Sequence, residues 1–185
     1  MNFKSIGQII LSVADILRPA EELSVSEAAA KYRYVNQPGA YVGNWLNTTT
    51  PMMVEPMDVF TSREYSGEVF VGPAQSGKTD SLIINTVAYT IKVEPMDTMI
   101  VCPTMTAGRD FSIRRIDRLH RHSEKIGAML MGGSDHDNKF DKHYINGMLL
   151  TISWPTPTEL AGKPIGRIVM TDFDRMPMDV AGDGN

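Results

Sequence analysis

The sequence predicts an α/β fold, a mostly parallel sheet flanked by helices and preceded by a helical N-terminal arm. Three observations lead there. From residue 68 onward, short apolar runs alternate with stretches of helical periodicity, and such alternation builds right-handed βαβ units. The octet Gly72-Pro73-Ala74-Gln75-Ser76-Gly77-Lys78-Thr79 stands between the apolar run Val69-Phe70-Val71 and a helix-like stretch. Another apolar run, Ile168-Val169-Met170-Thr171, ends in Asp172, placing a carboxylate where open sheets bind their ligands.

The elements follow in order. Ile9, Ile10, Val13, Ile16 and Leu17 recur at helical spacing, and Arg18-Pro19 ends that pattern. Ser24 with Glu27 three residues later is a capping box that opens a second helix, running to Arg33. Residues 36–51, rich in Gly, Pro, Asn and Thr, read as an extended connection. Residues 1–50 thus form the arm and its connection, and residues 51–185 the core.

Within the core, Glu68 to Val71 is expected as the first strand and Lys78 to Ile91 as its helix, with Leu82, Ile83, Val87 and Ile91 inward. A second strand is expected from Thr98 to Cys102, and a long helix from about Thr106 to Ile126. Lys139 to Tyr144 and Met148 to Ser153 flank Asn146-Gly147, a hairpin signal, and Arg167 to Thr171 is the last strand.

Composition narrows the function. At 185 residues the chain can bury one substantial core, and a net charge of −4 argues against coating nucleic acid by bulk charge. Any DNA contact must be a local patch. The single cysteine, Cys102, excludes a disulfide framework and a thiolate zinc site, and fits a reducing cytoplasm. No apolar run approaches the roughly 18 residues of a membrane span. The 13 scattered methionines read as core filler.

The octet is the full phosphate-loop pattern. Its two glycines let the backbone fold so that successive N–H groups converge on phosphate oxygens, and the following helix adds the positive end of its dipole. In that setting Gly72 to Thr79 cradle ATP, Lys78 reaches the β- and γ-phosphates, and Thr79 places its hydroxyl on Mg²⁺. Asp172 is the expected second metal ligand, since this hard ion prefers oxygen donors. ATPases of this type usually follow the metal aspartate with a glutamate that orients the attacking water, and here that position is Phe173. A phenyl ring accepts no hydrogen bond. Asp174 is the nearest replacement as catalytic carboxylate, its alternative being a loop aspartate that pairs with Arg175 or caps a turn.

Together these residues resemble the large terminase subunit of tailed bacteriophages, in its lambda-like branch. The resemblance extends from Ser26 to Asn185 through Glu27 with Lys31-Tyr32-Arg33, the segment Pro51-Met52-Met53-Val54-Glu55-Pro56-Met57-Asp58, the phosphate loop, Pro103-Thr104, Asp137-Asn138-Lys139, Glu159-Leu160 and Asp172-Phe173-Asp174-Arg175. Its most specific part is the Glu-Pro-Met-Asp segment before the loop. The resemblance implies an ATPase motor lobe that drives DNA into procapsids in the host cytoplasm. Its implied partners are double-stranded DNA, a small terminase subunit, the capsid portal and further copies of itself. In that family a nuclease domain follows the ATPase lobe, so the sequence is expected to be the N-terminal portion of a longer protein. Lys163 or Arg167 would supply positive charge near the γ-phosphate where the family often carries an arginine, unless a neighbouring subunit does. Two other readings stay open: an assembly module that binds nucleotide with little or no hydrolysis, and a helicase-like ATPase unrelated to packaging.

Arg114, Arg118, Arg121 and Lys125 share a helical face, which suits either DNA phosphates or a solvated surface balanced by Asp110, Asp117 and Glu124. His120, His122, His136 and His143 lack zinc spacing, and Trp45 and Trp154 read as core plugs.

Overall fold

Residues 5–7, 21–133 and 135–180 are described, from a computed structural model. The first expected helix, over residues 6–17, and the Gly-Asp-Gly-Asn end therefore lie almost wholly outside the described residues.

Helix α1 (Val25–Tyr32) begins with the expected capping box: Glu27 N–H donates to the Ser24 hydroxyl, and Ser24 N–H donates to the Glu27 carboxylate at 2.8 Å. Asp58 reinforces the same helix start, accepting from Ser26 N–H at 2.9 Å and from the Ser26 hydroxyl at 2.8 Å. This gives the Glu-Pro-Met-Asp segment, in α2 (Val54–Val59), a physical role: its aspartate caps α1 while Met57 is fully buried.

The stretch expected as an extended connection is more ordered than that. Tyr34–Gln37 (β1) and Tyr41–Asn44 (β2) pair antiparallel as a hairpin, turning at Gly39 with φ +84°. Two 3₁₀ turns, Asn47–Thr49 and Pro51–Met53, then lead into α2. The turn chemistry is present in Gln37-Pro38-Gly39-Ala40, but strands of four residues with little apolar content give a weak period-two signal.

The main sheet has the order β4-β5-β3-β6, formed by β3 (Thr98–Val101), β4 (Asp141–His143), β5 (Leu149–Ser153) and β6 (Arg167–Met170). β3 pairs parallel with both β5 and β6, and β4 joins β5 antiparallel through the expected Asn146-Gly147 turn. The fold is α/β with a mostly parallel sheet, as the alternation of elements implied. All four residues of β3 are buried, the pattern of a central strand covered on both faces.

One expected strand is absent. Glu68 to Val71 forms no ladder, and Val69 and Val71 are each 91% exposed. An apolar run specifies a strand only where another strand offers it backbone partners, and none of the four described sheet strands pairs with this one.

The helix after the loop is continuous from a π-helical stretch, Thr79–Ile84, into α3 (Asn85–Lys92). The long helix expected over residues 106–126 is interrupted twice. It comprises α4 (Met105–Phe111), a π-helical stretch at Ser112–Ile116, and α5 (Asp117–His122). Ser123 then leaves helical geometry and a short α6 (Glu124–Gly127) follows. Ser123 is recruited elsewhere: its hydroxyl accepts from Tyr34 N–H at 3.0 Å, tying the break to β1.

His120, in α5, has its Nε2 2.9 Å from the Tyr144 hydroxyl and its Nδ1 without a partner. Burial, aided by the nearby Lys142 ammonium and opposed by Asp137 and Asp117, pushes its pKa down to about 4 from the usual 6.5. Protonation is then easier in the unfolded chain. The stability that neutral His120 contributes is complete above about pH 6.5 and lost as pH falls toward 4, on the order of 3 kcal/mol. Urea midpoints measured across that window should fall more steeply for the wild type than for His120→Gln. Parallel curves would show that the imidazole does not govern acid stability.

Candidate nucleotide site

The octet forms a tight turn before the helix. Gln75 adopts φ 58° and Gly77 φ 82°, left-handed conformations on either side of Ser76. A side chain at Gly77 would also meet Thr50 Cγ2 at 3.2 Å, so both conformation and space demand glycine there. Gln75, whose φ a side-chain-bearing residue seldom adopts, marks local strain of the kind that collects at ligand clamps. Turns of this kind aim backbone N–H groups into a shared concavity. Two donors close over the turn: the Lys78 ammonium and the Ser76 hydroxyl give hydrogen bonds to the Pro73 carbonyl at 2.9 and 3.0 Å.

The helix direction places this turn relative to the sheet. Near the end of α3, Thr90 accepts from Arg167, which begins β6, and the Ile91 carbonyl accepts from Asn146 at 2.9 Å. Glu94 pairs with the same Arg167 at 2.9 Å. The last turn is thus tied to the amino edge of the strands, and Thr79, 12 residues before Ile91 and so about 18 Å away along the helix, lies toward the carboxyl edge. Asp172 leaves β6 at that edge, where Thr171 N–H donates to the Val101 carbonyl at 3.1 Å. The helix direction therefore carries Thr79 toward the end of the sheet from which Asp172 leaves β6. Among the described residues, no hydrogen bond or ion pair joins Lys78 or Thr79 to Asp172 or Asp174.

Asp172 has φ 50° and ψ 47°, a second strained non-glycine residue, and it turns the chain into a 3₁₀ turn at Phe173–Arg175. The strand thus ends before Phe173, which is 69% exposed. Asp174 is exposed and accepts no bond from Arg175. The Asp172 carboxylate accepts from the Thr171 hydroxyl at 3.3 Å, and its charge, after burial, helps push the Cys102 thiol up to about 12. Cys102 is therefore an inert neighbour of this edge rather than a nucleophile.

The two basic candidates separate. Arg167 stands at the amino edge, over the Phe60 and Tyr89 rings and paired with Glu94, which rules it out beside Asp172. Lys163 pairs with Glu159 at 3.0 Å, and Glu159 in turn accepts from Ser153 at the carboxyl end of β5, so Lys163 stays near the relevant edge.

Asp80, the residue after the octet, carries no signal in the sequence. Its carboxylate accepts from Arg33 and Gln37 and from Arg115 at 2.8 Å, and its carbonyl accepts from Arg33. Arg33 is only 5% exposed, also donates to Asn85, and stacks on Trp45 at 4.8 Å. Four segments meet at the first turn of the loop's helix. No local pattern announces this, because the partners lie 35 to 47 positions from Asp80.

Over residues 39–185 the chain matches the family model for the phage terminase large subunit gpA, ATPase domain. The chain belongs to that family. The terminase assignment sets aside the helicase-like reading and agrees with the resemblance carried by the motifs. No curated protein and no solved structure gives a significant match.

The donor set suits the nucleotide and metal that a terminase ATPase domain implies. The turn offers backbone N–H groups and an ammonium for anionic oxygens, while the Thr79 hydroxyl and the exposed Asp172 carboxylate are hard oxygen ligands of the kind Mg²⁺ selects.

Proposed function

We propose that this terminase ATPase domain is a P-loop lobe that binds and hydrolyses ATP·Mg²⁺ to drive DNA into a procapsid. One observation carries the reading: a strained turn of the full phosphate-loop sequence opens a helix toward the sheet edge from which Asp172 emerges. Gly72 to Thr79 hold the phosphates, Lys78 neutralises the β/γ oxygens, and Thr79 and Asp172 hold Mg²⁺. The ion, when bound, withdraws charge from the phosphoryl oxygens. Asp174 orients water. Its exposure within the Phe173–Arg175 turn leaves its carboxylate available, and Lys163, held by Glu159 beside the carboxyl end of β5, is the cation assigned to that edge. Double-stranded DNA, the small terminase subunit, the portal and neighbouring copies are the partners, and the host cytoplasm is the setting.

Phe173 favours a second reading, an assembly module that binds nucleotide without turning it over. Phosphate release by the wild type and Asp174→Ala separates the two. Under the motor reading Asp174→Ala loses about 10²-fold or more in turnover while still binding nucleotide. A wild type that binds nucleotide and releases no phosphate, alone or with DNA, would leave only the binding module.

A further inference from the structure

The basic stripe on the long helix is not one stripe. Its π-helical stretch at Ser112–Ile116 and the break at Ser123 shift the helical register, and the four cations part company. Arg121 lines a depression with Asp117, Glu124 and Asp137, and Lys125 stands over the Tyr32 ring at 5.5 Å. Arg114 and Arg118 instead converge with Arg33 and Arg115 on a groove against β1, where Asn36 and Gln37 form the opposite wall. Four guanidiniums thus surround one carboxylate, Asp80, in a chain whose overall charge is −4.

The acidic residues that would balance this face do not do so. Asp117 pairs with Lys142 at 2.9 Å, and among the described residues neither Asp110 nor Glu124 forms an ion pair with an arginine. Arg114 and Arg118 are exposed and, among the described residues, their guanidiniums have no hydrogen bond or ion pair. Arg33 and Arg115 are committed to Asp80, so the uncompensated charge is that of Arg114 and Arg118.

We propose that this groove binds a backbone phosphate of double-stranded DNA, with Arg114 and Arg118 as the contacting cations. Its cavity, about 30 Å³, holds two or three water-sized groups, which suits one phosphate and is too small for a whole nucleotide. Planar guanidiniums favour phosphate oxygens over a compact anion's hydration shell, and a site read only by charge suits a ligand engaged without regard to sequence. The proposal rests on the packaging reading above for its choice of polyanion. Because Asp80 and Arg115, themselves an ion pair, both line this groove, the phosphate would sit next to the network that anchors the loop's helix.

The test is salt-dependent binding of a labelled 30-base-pair duplex to the chain and to Arg114→Ala/Arg118→Ala. The double variant should bind roughly tenfold or more weakly at low salt, and the slope of log K against log salt should fall by about 2, one unit for each phosphate no longer neutralised. Arg114→Lys/Arg118→Lys should keep most of that slope, and similar melting temperatures for all three would show that folding is not at issue. An unchanged slope in the alanine variant would overturn the proposal, and so would inorganic phosphate displacing the duplex at matched concentration, which would make this a site for a free anion. Nucleotide affinity read on the same preparations separates the two proposals: a chain that binds no nucleotide yet keeps an arginine-dependent slope sinks the ATPase reading alone.

Discussion

Lys78→Ala is expected to lower kcat/KM for ATP at least 10²-fold, about 3 kcal/mol, with loss of nucleotide affinity as well as turnover. Gln75 and Gly77 hold left-handed conformations that curl the backbone, and the Lys78 ammonium already lies over that curl, bonded to the Pro73 carbonyl. A triphosphate would exchange that single neutral acceptor for several anionic oxygens, and charge-assisted bonds are roughly twice as strong as neutral ones. Because Lys78 is half-buried and contributes one exchangeable hydrogen bond to the fold, its removal should alter melting by little. Fluorescent ATP-analogue titration and phosphate release check both parts. Full nucleotide affinity in Lys78→Ala would remove the octet from the binding site.

How much of this can be read from the chain depends on the range of the interactions. Capping is local, so Ser24 and Glu27 announce α1, and Asn146-Gly147 announces the turn between β4 and β5. β3, β5 and β6 are legible because dense apolar runs between helical stretches have few alternatives in an α/β chain. The run at residues 68–71 looks the same in sequence, yet a strand is completed by its neighbour's backbone, and its own residues cannot specify that. The helix breaks at Ser112–Ile116 and Ser123 are hidden for a related reason: Ser123 leaves the helix to bond β1, a partner 89 positions away. That break dissolves the basic stripe inferred from ideal spacing. Of the candidate site, the octet and Asp172 carry a signal in the sequence, because phosphate chemistry would impose a local spacing on the first and a strand terminus on the second. The Arg33–Asp80–Arg115 network is not, since it joins single charged residues that look like surface in any window.

That network carries the largest expected stability effect. Asp80→Ala should destabilise the fold by about 3 to 5 kcal/mol, because it leaves Arg33 charged, 5% exposed and reduced to backbone and amide acceptors. Burial already pulls the Arg33 pKa below its ordinary value, and Asp80 is what chiefly opposes that pull. In a domain of this length the loss corresponds to roughly 10 °C in melting temperature. Arg33→Lys should be poorly tolerated too, since one ammonium cannot serve the Asp80 carboxylate, the Asp80 carbonyl and Asn85 in the planes that a guanidinium reaches. By contrast, Arg33→Leu combined with Asp80→Ala removes both charges and should recover much of the stability, as buried pairs replaced by apolar groups often do. The same double variant has a functional signature. Asp80 follows Thr79 directly, so without its clamp the first turn of the loop's helix loses its charged anchors and keeps only weaker holds such as the Thr50–Ser81 hydroxyl contact. Nucleotide affinity should then stay below wild type even where melting temperature returns. Recovery of both in the double variant would reduce Asp80 to a purely structural partner, and a melting temperature unchanged by Asp80→Ala alone would mean that Arg33 is solvated in solution.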